Sequence, residues 1–372
     1  MKDQFLIGLD IGGANTKGAI IHFKSNQIKK SFSYIEYFPF WQKTTDDIEE
    51  MFIRVIEKLL KSIKNDFSLE EINKVCVTIT AELSDAFQTK HEGIHLIIDA
   101  LLRLIEEKKL LFVANNGVFL DWKKAKQFYL SIAASNWMAT AMFLSNFVSQ
   151  CILIDAGSTT IDVIPIFNGN PVSKGKDDIS RLLNHELIYT GGLRATIPSI
   201  THKVPYNHKK IRISFEKFAL VSDVHRILNN ISEEQYINET ADGRSTSLLD
   251  CYSRLARIIC MDIETIDKKD LKIIAEFIYD KQLKIISEEF NLFLNDLIKR
   301  YPEFEPDPLF LVTGLGRDYL AKKALERLGY TNIQYYEDLT PIADNVSSSA
   351  LAVAAAYYFK TTRNNKSEEY YG

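Results

Sequence analysis

The sequence predicts an α/β protein built from a duplicated unit, one copy in each of two lobes. Three observations carry this. Apolar strands alternate with amphipathic helical stretches, an opening strand–glycine turn–strand returns in mid-chain, and 372 residues suit two lobes better than one small domain. In order, residues 5–9 form an apolar strand, Gly12-Gly13-Ala14 a turn, and residues 18–23 a second strand. Residues 46–63 carry Ile48, Met51, Phe52, Val55, Ile56, Leu59, Leu60 and Ile63 at helical spacing. Thr44 or Thr45 caps that helix, and Asp46, Asp47, Glu49 and Glu50 sit in its positive first turn. A strand at 75–80, a helix at 94–106 and a strand at 110–114 follow, then a helical connector over 124–150.

The opening then returns. Phe5-Leu6-Ile7-Gly8-Leu9-Asp10-Ile11-Gly12-Gly13-Ala14-Asn15-Thr16-Lys17 is echoed by Cys151-Ile152-Leu153-Ile154-Asp155-Ala156-Gly157-Ser158-Thr159-Thr160. Each copy is an apolar strand ending in Asp, a spacer, Gly, then small and hydroxyl or amide residues. Beyond it, 168–171 and 174–178 read as turns, and Gly191-Gly192 interrupts 189–198. A long helix spans 269–300, ended by Pro302 and Pro306. A strand at 309–313 meets Gly314-Leu315-Gly316, a helix covers 318–328, an Ala-rich helix covers 347–358, and the polar tail 361–372 frays.

Composition excludes several classes. Forty-five Lys+Arg against 49 Asp+Glu, without a block of either sign, gives no basic stripe for nucleic acid. The apolar start reaches Asp10 too soon for a signal peptide, and the apolar stretches 132–148 and 350–359 are too interrupted to span a bilayer. Cys76, Cys151, Cys251 and Cys260 have neither CxxC spacing nor disulfide density. The expectations are a cytoplasmic protein with small-molecule substrates, no nucleic-acid or membrane partner, and a homo-oligomeric state left open.

A strand–Asp–x–Gly turn has a physical use. Glycines let backbone N–H groups approach an anion, and successive N–H groups form an anion nest. The strand-end acid can hold Mg²⁺, usually through water, while a lysine neutralises phosphate charge. One such turn is an ordinary hairpin; two, with a glycine turn after a third strand, describe a site for a diphosphate or triphosphate and its magnesium. Asp10 and Asp155 are the metal candidates, and Lys17 the neutralising cation, with Arg194 and Arg244 as further cations. The anion-binding set is Gly12, Gly13, Ala14, Asn15, Thr16, Gly157, Ser158, Thr159, Thr160, Gly314 and Gly316.

These residues also carry a resemblance. Residues 8–17, Asp155-Ala156-Gly157-Ser158-Thr159-Thr160-Ile161-Asp162 and Val312-Thr313-Gly314-Leu315-Gly316 resemble the two phosphate motifs and the adenosine motif of the actin/hexokinase/Hsp70 superfamily. Residues 134–141 and 348–356 resemble its two interdomain helices. The resemblance implies a duplicated RNase H-like, actin-like ATPase fold with a ligand cleft between lobes. Residues 1–130 with 342–372 would form the first lobe, and 131–341 the second, with the connector helix and a helical insertion.

A narrower branch fits better. Thr78-Ile79-Thr80-Ala81-Glu82-Leu83-Ser84-Asp85, running on to Gly93, resembles hydantoinase/oxoprolinase-like proteins linked to tetrahydromethanopterin and methanofuran metabolism. Tyr189-Thr190-Gly191-Gly192-Leu193-Arg194, Ser222-Asp223-Val224-His225-Arg226 and Thr240-Ala241-Asp242-Gly243-Arg244 are similar to the same group. The resemblance implies a transferase that condenses 5-(aminomethyl)-3-furanmethanol diphosphate with γ-glutamyltyramine, forming an ether and releasing diphosphate. Such an enzyme must hold and neutralise the leaving group and bring a phenol oxygen into line. The phenol has a solution pKa of about 10, so a base helps; Glu82, Asp85 and Asp242 are the candidates. Alternatives are an ATP-using kinase or oxoprolinase-type amidohydrolase, and a non-catalytic actin-like nucleotide-binding module. Sugar kinases of this superfamily place a catalytic Asp after a first-lobe strand; here Asn115-Asn116 stand there, and an amide cannot take the proton.

Other signals are weaker. His91-Glu92-Gly93-Ile94-His95 spells a zinc-protease signature, but Gly93 weakens the helix it needs by about 1 kcal/mol. His185, His202 and His208 read as exposed. Arg244, Arg254 and Arg257 read as an anion patch, with helical surface arginines as the alternative for Arg254 and Arg257. The aromatic stretch 34–41 reads as pocket lining, edge-strand packing or a subunit contact. Ser158, Thr159 and Thr160 lack the nucleophile elbow of a hydrolase.

Overall fold

The computed structural model describes residues 3–25, 27–341 and 348–369. Within the segment 342–372, residues 342–347 and 370–372 therefore lie outside the described residues, as does the end of the expected fraying tail. The chain divides into two compact units, residues 1–151, 164–183 and 336–372 forming one and residues 152–163 and 184–335 the other.

The first unit is built on a sheet of β1 (Gln4–Gly12), β2 (Asn15–Lys24), β3 (Gln27–Tyr37), β4 (Lys74–Thr80), β5 (Leu110–Val113) and β6 (Phe119–Leu120). Its order is β3-β2-β1-β4-β5-β6. The first three strands form an antiparallel meander, and β1, β4 and β5 run parallel. Parallel neighbours bury both faces of a strand, which is why β1 reads as a continuous apolar run: Leu6, Ile7, Leu9 and Ile11 are buried. The Thr45–Lys61 helix begins on a capping box, in which the Thr44 side chain accepts from Asp47 N–H and Asp47 returns the bond to the Thr44 backbone. Its stripe of Ile48, Met51, Phe52, Val55, Ile56 and Leu59 is buried, each contributing about 1.5–3 kcal/mol relative to exposure. The Ser348–Glu369 helix packs on β1 and on the Asn136–Leu144 helix.

The second sheet contains β7 (Cys151–Ala156), β8 (Ile161–Phe167), β9 (Asn170–Pro171), β10 (Leu187–Ile188), β13 (Phe310–Thr313) and β14 (Ile333–Tyr335). Its order is β10-β8-β7-β13-β14, with β9 on the far end of β8. The small hairpin β11 (Lys203–Tyr206) and β12 (Lys209–Arg212) stands apart from it in the sheet pattern. The run β2-β1-β4-β5 in the first sheet matches β8-β7-β13-β14 in the second: a hairpin whose first strand then pairs parallel with a distant strand. The register agrees too, since Asp10 lies beside Thr78 and Asp155 beside Thr313. The duplication read from the sequence is thus a duplication of sheet topology in an α/β protein, as the resemblance to the actin/hexokinase/Hsp70 superfamily implies.

The 33-residue Lys268–Arg300 helix starts on an Asp267 cap and buries Leu271, Ile274, Ile278, Ile286, Phe290, Phe293 and Leu297. The expected single connector helix is instead three pieces, Trp122–Gln127, Tyr129–Ile132 and Asn136–Leu144. Tertiary pairing overrides propensity there. Ala133 bridges Ile79, Ala134 takes a positive φ of 47°, and its N–H donates to the Ile79 carbonyl at 2.9 Å. Among the described residues, no helix is long and apolar enough to cross a membrane.

Candidate functional site

In the first unit the chain reverses between β1 and β2 at Gly12–Asn15, with Asp10 opposite Lys17. A Cβ on Gly12 would stand 2.8 Å from the Asn15 carbonyl oxygen, so the reversal closes only around glycine. Its outer carbonyls are fastened from behind: Phe38 N–H donates to the Ala14 carbonyl at 2.9 Å and Phe40 N–H to that of Gly13 at 3.0 Å. Phe38 and Phe40 are buried and pack edge to face with centroids 5.0 Å apart. The part of the aromatic stretch around these two rings is therefore core that holds the turn, a role distinct from pocket lining or a subunit contact.

Asp10 is buried at the end of this strand pair. Its Oδ2 accepts a hydrogen bond from Ser349 Oγ and lies 3.7 Å from Lys17 Nζ. Its Oδ1 is buried without a hydrogen-bond partner. Leaving a carboxylate oxygen so costs more than the 1–3 kcal/mol typical of a neutral group. A cation or donor brought by a ligand would relieve it, so the Asp10 carboxylate fits a Mg²⁺ that keeps waters and substrate oxygens as its other ligands. Among the described residues, no group of three or more His, Cys, Asp or Glu gathers as a metal cage.

In the second unit three glycine segments stack. Gly157 N–H donates to the Thr160 carbonyl at 2.9 Å, closing the turn between β7 and β8. The 191–194 segment then lies on that turn: N–H groups of Gly191, Gly192 and Leu193 donate to the carbonyls of Thr159, Gly157 and Ser158, each at 2.9 Å. A Cβ on Gly191 would meet the Gly157 carbonyl oxygen at 2.6 Å. Gly314, at φ +84°, lies against Asp155, where a Cβ would stand 2.5 Å from its Oδ1; Gly316 N–H donates to the Ala156 carbonyl at 2.8 Å. The structure thus gathers Asp155, 157–160, 191–194 and 314–316 into one backbone layer. Ser158, Thr159 and Thr160 are half-buried there, while Arg194 and Arg244 are exposed.

Behind this layer lies a network that sequence reasoning missed. Gln282, buried on the long helix, donates to the Gly191 carbonyl at 3.0 Å and to Thr190 Oγ1 at 3.1 Å. Its Oε1 accepts from His225 Nε2 at 3.0 Å, and His225 Nδ1 accepts from Asn230 at 3.1 Å. Burial holds His225 well below its ordinary range, at about 3, so the ring is neutral and its tautomer is fixed by these two partners. Two residues before it, Asp223 Oδ1 accepts from Arg254 Nε at 2.8 Å and Tyr236 Oη at 2.9 Å, and Oδ2 accepts from Leu220 N–H. Arg254 also donates to Asp242 and to the Ser245 carbonyl, both at 3.0 Å, and Arg257 donates to Asp242 at 2.8 Å. Arg254 is fully buried, so it is neither an anion patch nor a surface arginine. Its motif partner gave the only signal: a segment 222–226 flagged by resemblance has a buried ion pair as its physical content.

The three candidate bases sit in different surroundings. Asp85 is exposed. For Asp242, burial works upward, but hydrogen bonds from Arg257, the Arg244 backbone and Arg254 prevail and hold it below the ordinary carboxylate range. Glu82 is 2% exposed, and burial raises its carboxyl to about 7. Between the ordinary value of 4.5 and that pH, the folded chain keeps a proton the unfolded chain gives up, so stability falls as pH rises through the window. Glu82→Gln should therefore gain about 3 kcal/mol over the natural chain at pH 8 and little at pH 4, read by urea denaturation at both pH values; equal shifts at both would refute the assignment.

Several other signals resolve into local structure. Asn115 Nδ2 donates to the Lys176 carbonyl and Asn116 Oδ1 accepts from Val118 N–H, so both amides are engaged in chain packing. The Lys90–Leu104 helix contains His91 and His95 as a stacked pair 3.9 Å apart, while Glu92 caps its start: its carboxylate accepts from Gln88 N–H, and its N–H donates to Thr89 Oγ1. His185 pairs with Glu289 at 2.7 Å, and His202 and His208 are exposed. Cys76, Cys151 and Cys251 are buried thiols and Cys260 an exposed one.

With this geometry in hand, comparison with known proteins is informative. The sequence profile of the family described as Hydantoinase/oxoprolinase matches residues 73–361. A Methanocaldococcus jannaschii protein named (4-{4-[2-(gamma-L-glutamylamino)ethyl]phenoxymethyl}furan-2-yl)methanamine synthase is 35% identical over 330 residues, covering 88% of this chain and 91% of its own. A Methanococcus vannielii protein of the same name is 33% identical over 193 residues, half of this chain and 82% of its own. Among solved structures, a nucleotide-free acetone carboxylase superposes with a TM-score of 0.55 at 10% identity, covering 95% of this chain and 70% of that one.

Proposed function

We propose, for a chain that belongs to the hydantoinase/oxoprolinase family, that it is the transferase of methanofuran assembly that joins 5-(aminomethyl)-3-furanmethanol diphosphate to γ-glutamyltyramine. The near full-length similarity to the M. jannaschii synthase carries this reading. In the reaction the phenol oxygen forms a bond to the furfuryl CH₂ carbon. The bond from that carbon to the diphosphate oxygen breaks, its electron pair leaves with diphosphate, and the phenol proton passes to a base. The furan oxygen can stabilise positive charge at the carbon, so the protein's main work is to hold the leaving group and exclude water.

The residues suit that work. In the first unit the Gly12–Asn15 reversal can offer backbone and Lys17 positive charge to phosphate oxygens; in the second unit the 157–160 turn can offer backbone and the exposed Arg194 and Arg244 positive charge. Asp10 in the first unit and Asp155 in the second are each a candidate Mg²⁺ ligand, and Mg²⁺ when bound would neutralise the departing diphosphate. The orphaned Asp10 Oδ1 supports that role for Asp10. Ser349 keeps the Asp10 carboxylate in one rotamer, and Gly314 packs against Asp155.

The direct test incubates the protein with both substrates and magnesium and follows the ether by mass spectrometry and diphosphate release by a coupled assay. Folded protein that forms no ether overturns the reading. Asp10→Asn and Asp155→Asn should each lower turnover by 100-fold or more (about 3 kcal/mol in the barrier) with an unchanged circular dichroism spectrum. Near-normal turnover in both would place the metal elsewhere.

A further inference from the structure

We propose that the first unit carries the acceptor station, in which Glu82 takes the phenol proton and Lys90, held between Glu82 and Asp178, is the positioning residue that sets its charge. This rests on the transferase reading above and deepens it. The geometry begins with an unpartnered atom: Glu82 Oε2 is buried with no hydrogen-bond partner, although the residue lies two positions past the end of β4 and its neighbour Leu83 is 58% exposed. Lys90 Nζ lies 3.9 Å from Glu82 Oε1 and 3.9 Å from Asp178 Oδ2. These distances exceed a hydrogen bond, so the ammonium acts as a shared point charge and leaves the carboxyl oxygen available. Asp177 lies in the field of the same lysine.

The charge arithmetic favours proton uptake. With Glu82 ionised, the set of buried Glu82 and half-buried Lys90 and Asp178 carries one net negative charge; once Glu82 takes a proton, it is neutral. Burial is the largest influence raising the Glu82 carboxyl; the backbone of Glu82 itself, Lys90 and the backbone of Ala134 oppose it, and Asp178 reinforces it. A base near neutrality is the best match to a phenol whose proton leaves as the carbon–oxygen bond forms. Leu83 and Ile179, the neighbours in sequence of Glu82 and Asp178, are 58% and 69% exposed, so each of the two segments presents an apolar side chain to solvent. Of the three carboxylates named from the sequence, Asp85 lies in solvent and Asp242 is neutralised by arginines, which leaves Glu82.

The test compares the natural chain with Glu82→Gln, Lys90→Met and Asp178→Asn, using tyramine acceptors whose phenol is made progressively more acidic by ring fluorination. Glu82→Gln should lower kcat about 100- to 1,000-fold with KM for the furan diphosphate unchanged, and the loss should shrink as the phenol becomes more acidic. For the natural chain kcat/KM should rise with pH through about 7, since the base must be ionised. Lys90→Met should move that limb to higher pH and Asp178→Asn to lower pH. A merely structural role would change stability and leave both the limb and the fluorine dependence in place. Ether formation by the natural chain with Glu82→Gln unimpaired, or impaired equally for every phenol, overturns the acceptor station alone. Absence of ether from the natural chain removes the transferase reading and the station with it.

Discussion

Gly8→Ala is expected to cost about 2–4 kcal/mol and to impair the site at Asp10 as well. Gly8 lies on β1, where the Ser348–Glu369 helix crosses, and an added Cβ would stand 1.8 Å from the Ala350 carbonyl oxygen and 3.1 Å from Val353 Cγ1. The first obstacle is backbone, so no rotamer change relieves it; either β1 bends or the helix lifts. Lifting the helix withdraws Ser349 from Asp10 Oδ2 and leaves a second carboxylate oxygen without its donor. The expected result is a lower urea midpoint together with a turnover loss larger than the remaining folded fraction explains. Unchanged stability would mean that the helix contacts β1 less closely than described here.

Arg254→Met should be more destructive to the second unit, at about 3–5 kcal/mol. Both Arg254 and Asp223 are fully buried, and the guanidinium serves Asp223, Asp242 and the Ser245 carbonyl at once. Removing it leaves Asp223 as a buried charge without its cation, with Tyr236 Oη and the Leu220 N–H still donating. The loss should be partly recovered by adding Asp223→Asn, because the pair rather than the arginine is what burial penalises. Urea denaturation of the two single variants and the double variant measures this coupling. Additive losses would show that the two side chains act independently.

Much of this molecule was legible in its sequence because local rules and tertiary structure agree. The stripe from Ile48 to Leu59 became the buried face of a capped helix, and the paired Asp–x–Gly segments became strand ends that each have a parallel neighbour in their own sheet. Legibility failed where a long-range partner decides. The connector was read as one helix because nothing local reveals that Ala134 donates to Ile79, and Arg254 was read as surface because its acid lies 31 residues away. The roles of Gln282 and His225 were invisible for the same reason, since one supports a glycine strap from a helix distant in sequence. Glu82 was named from the sequence, but its lysine and second acid belong to other segments, and no spacing rule joins them.

The matching strand orders have one more implication. After the strand that flanks Asp155, the chain reads Thr313-Gly314-Leu315-Gly316 and packs backbone against backbone; after the strand that flanks Asp10, it reads Thr78-Ile79-Thr80-Ala81-Glu82 and buries a carboxyl instead. The two sheets thus have topologically equivalent strand exits, one packed backbone against backbone around glycine and the other burying a carboxyl. Side chains larger than glycine should therefore be tolerated poorly at the Gly314 exit, where an added Cβ would meet Asp155 Oδ1 at 2.5 Å.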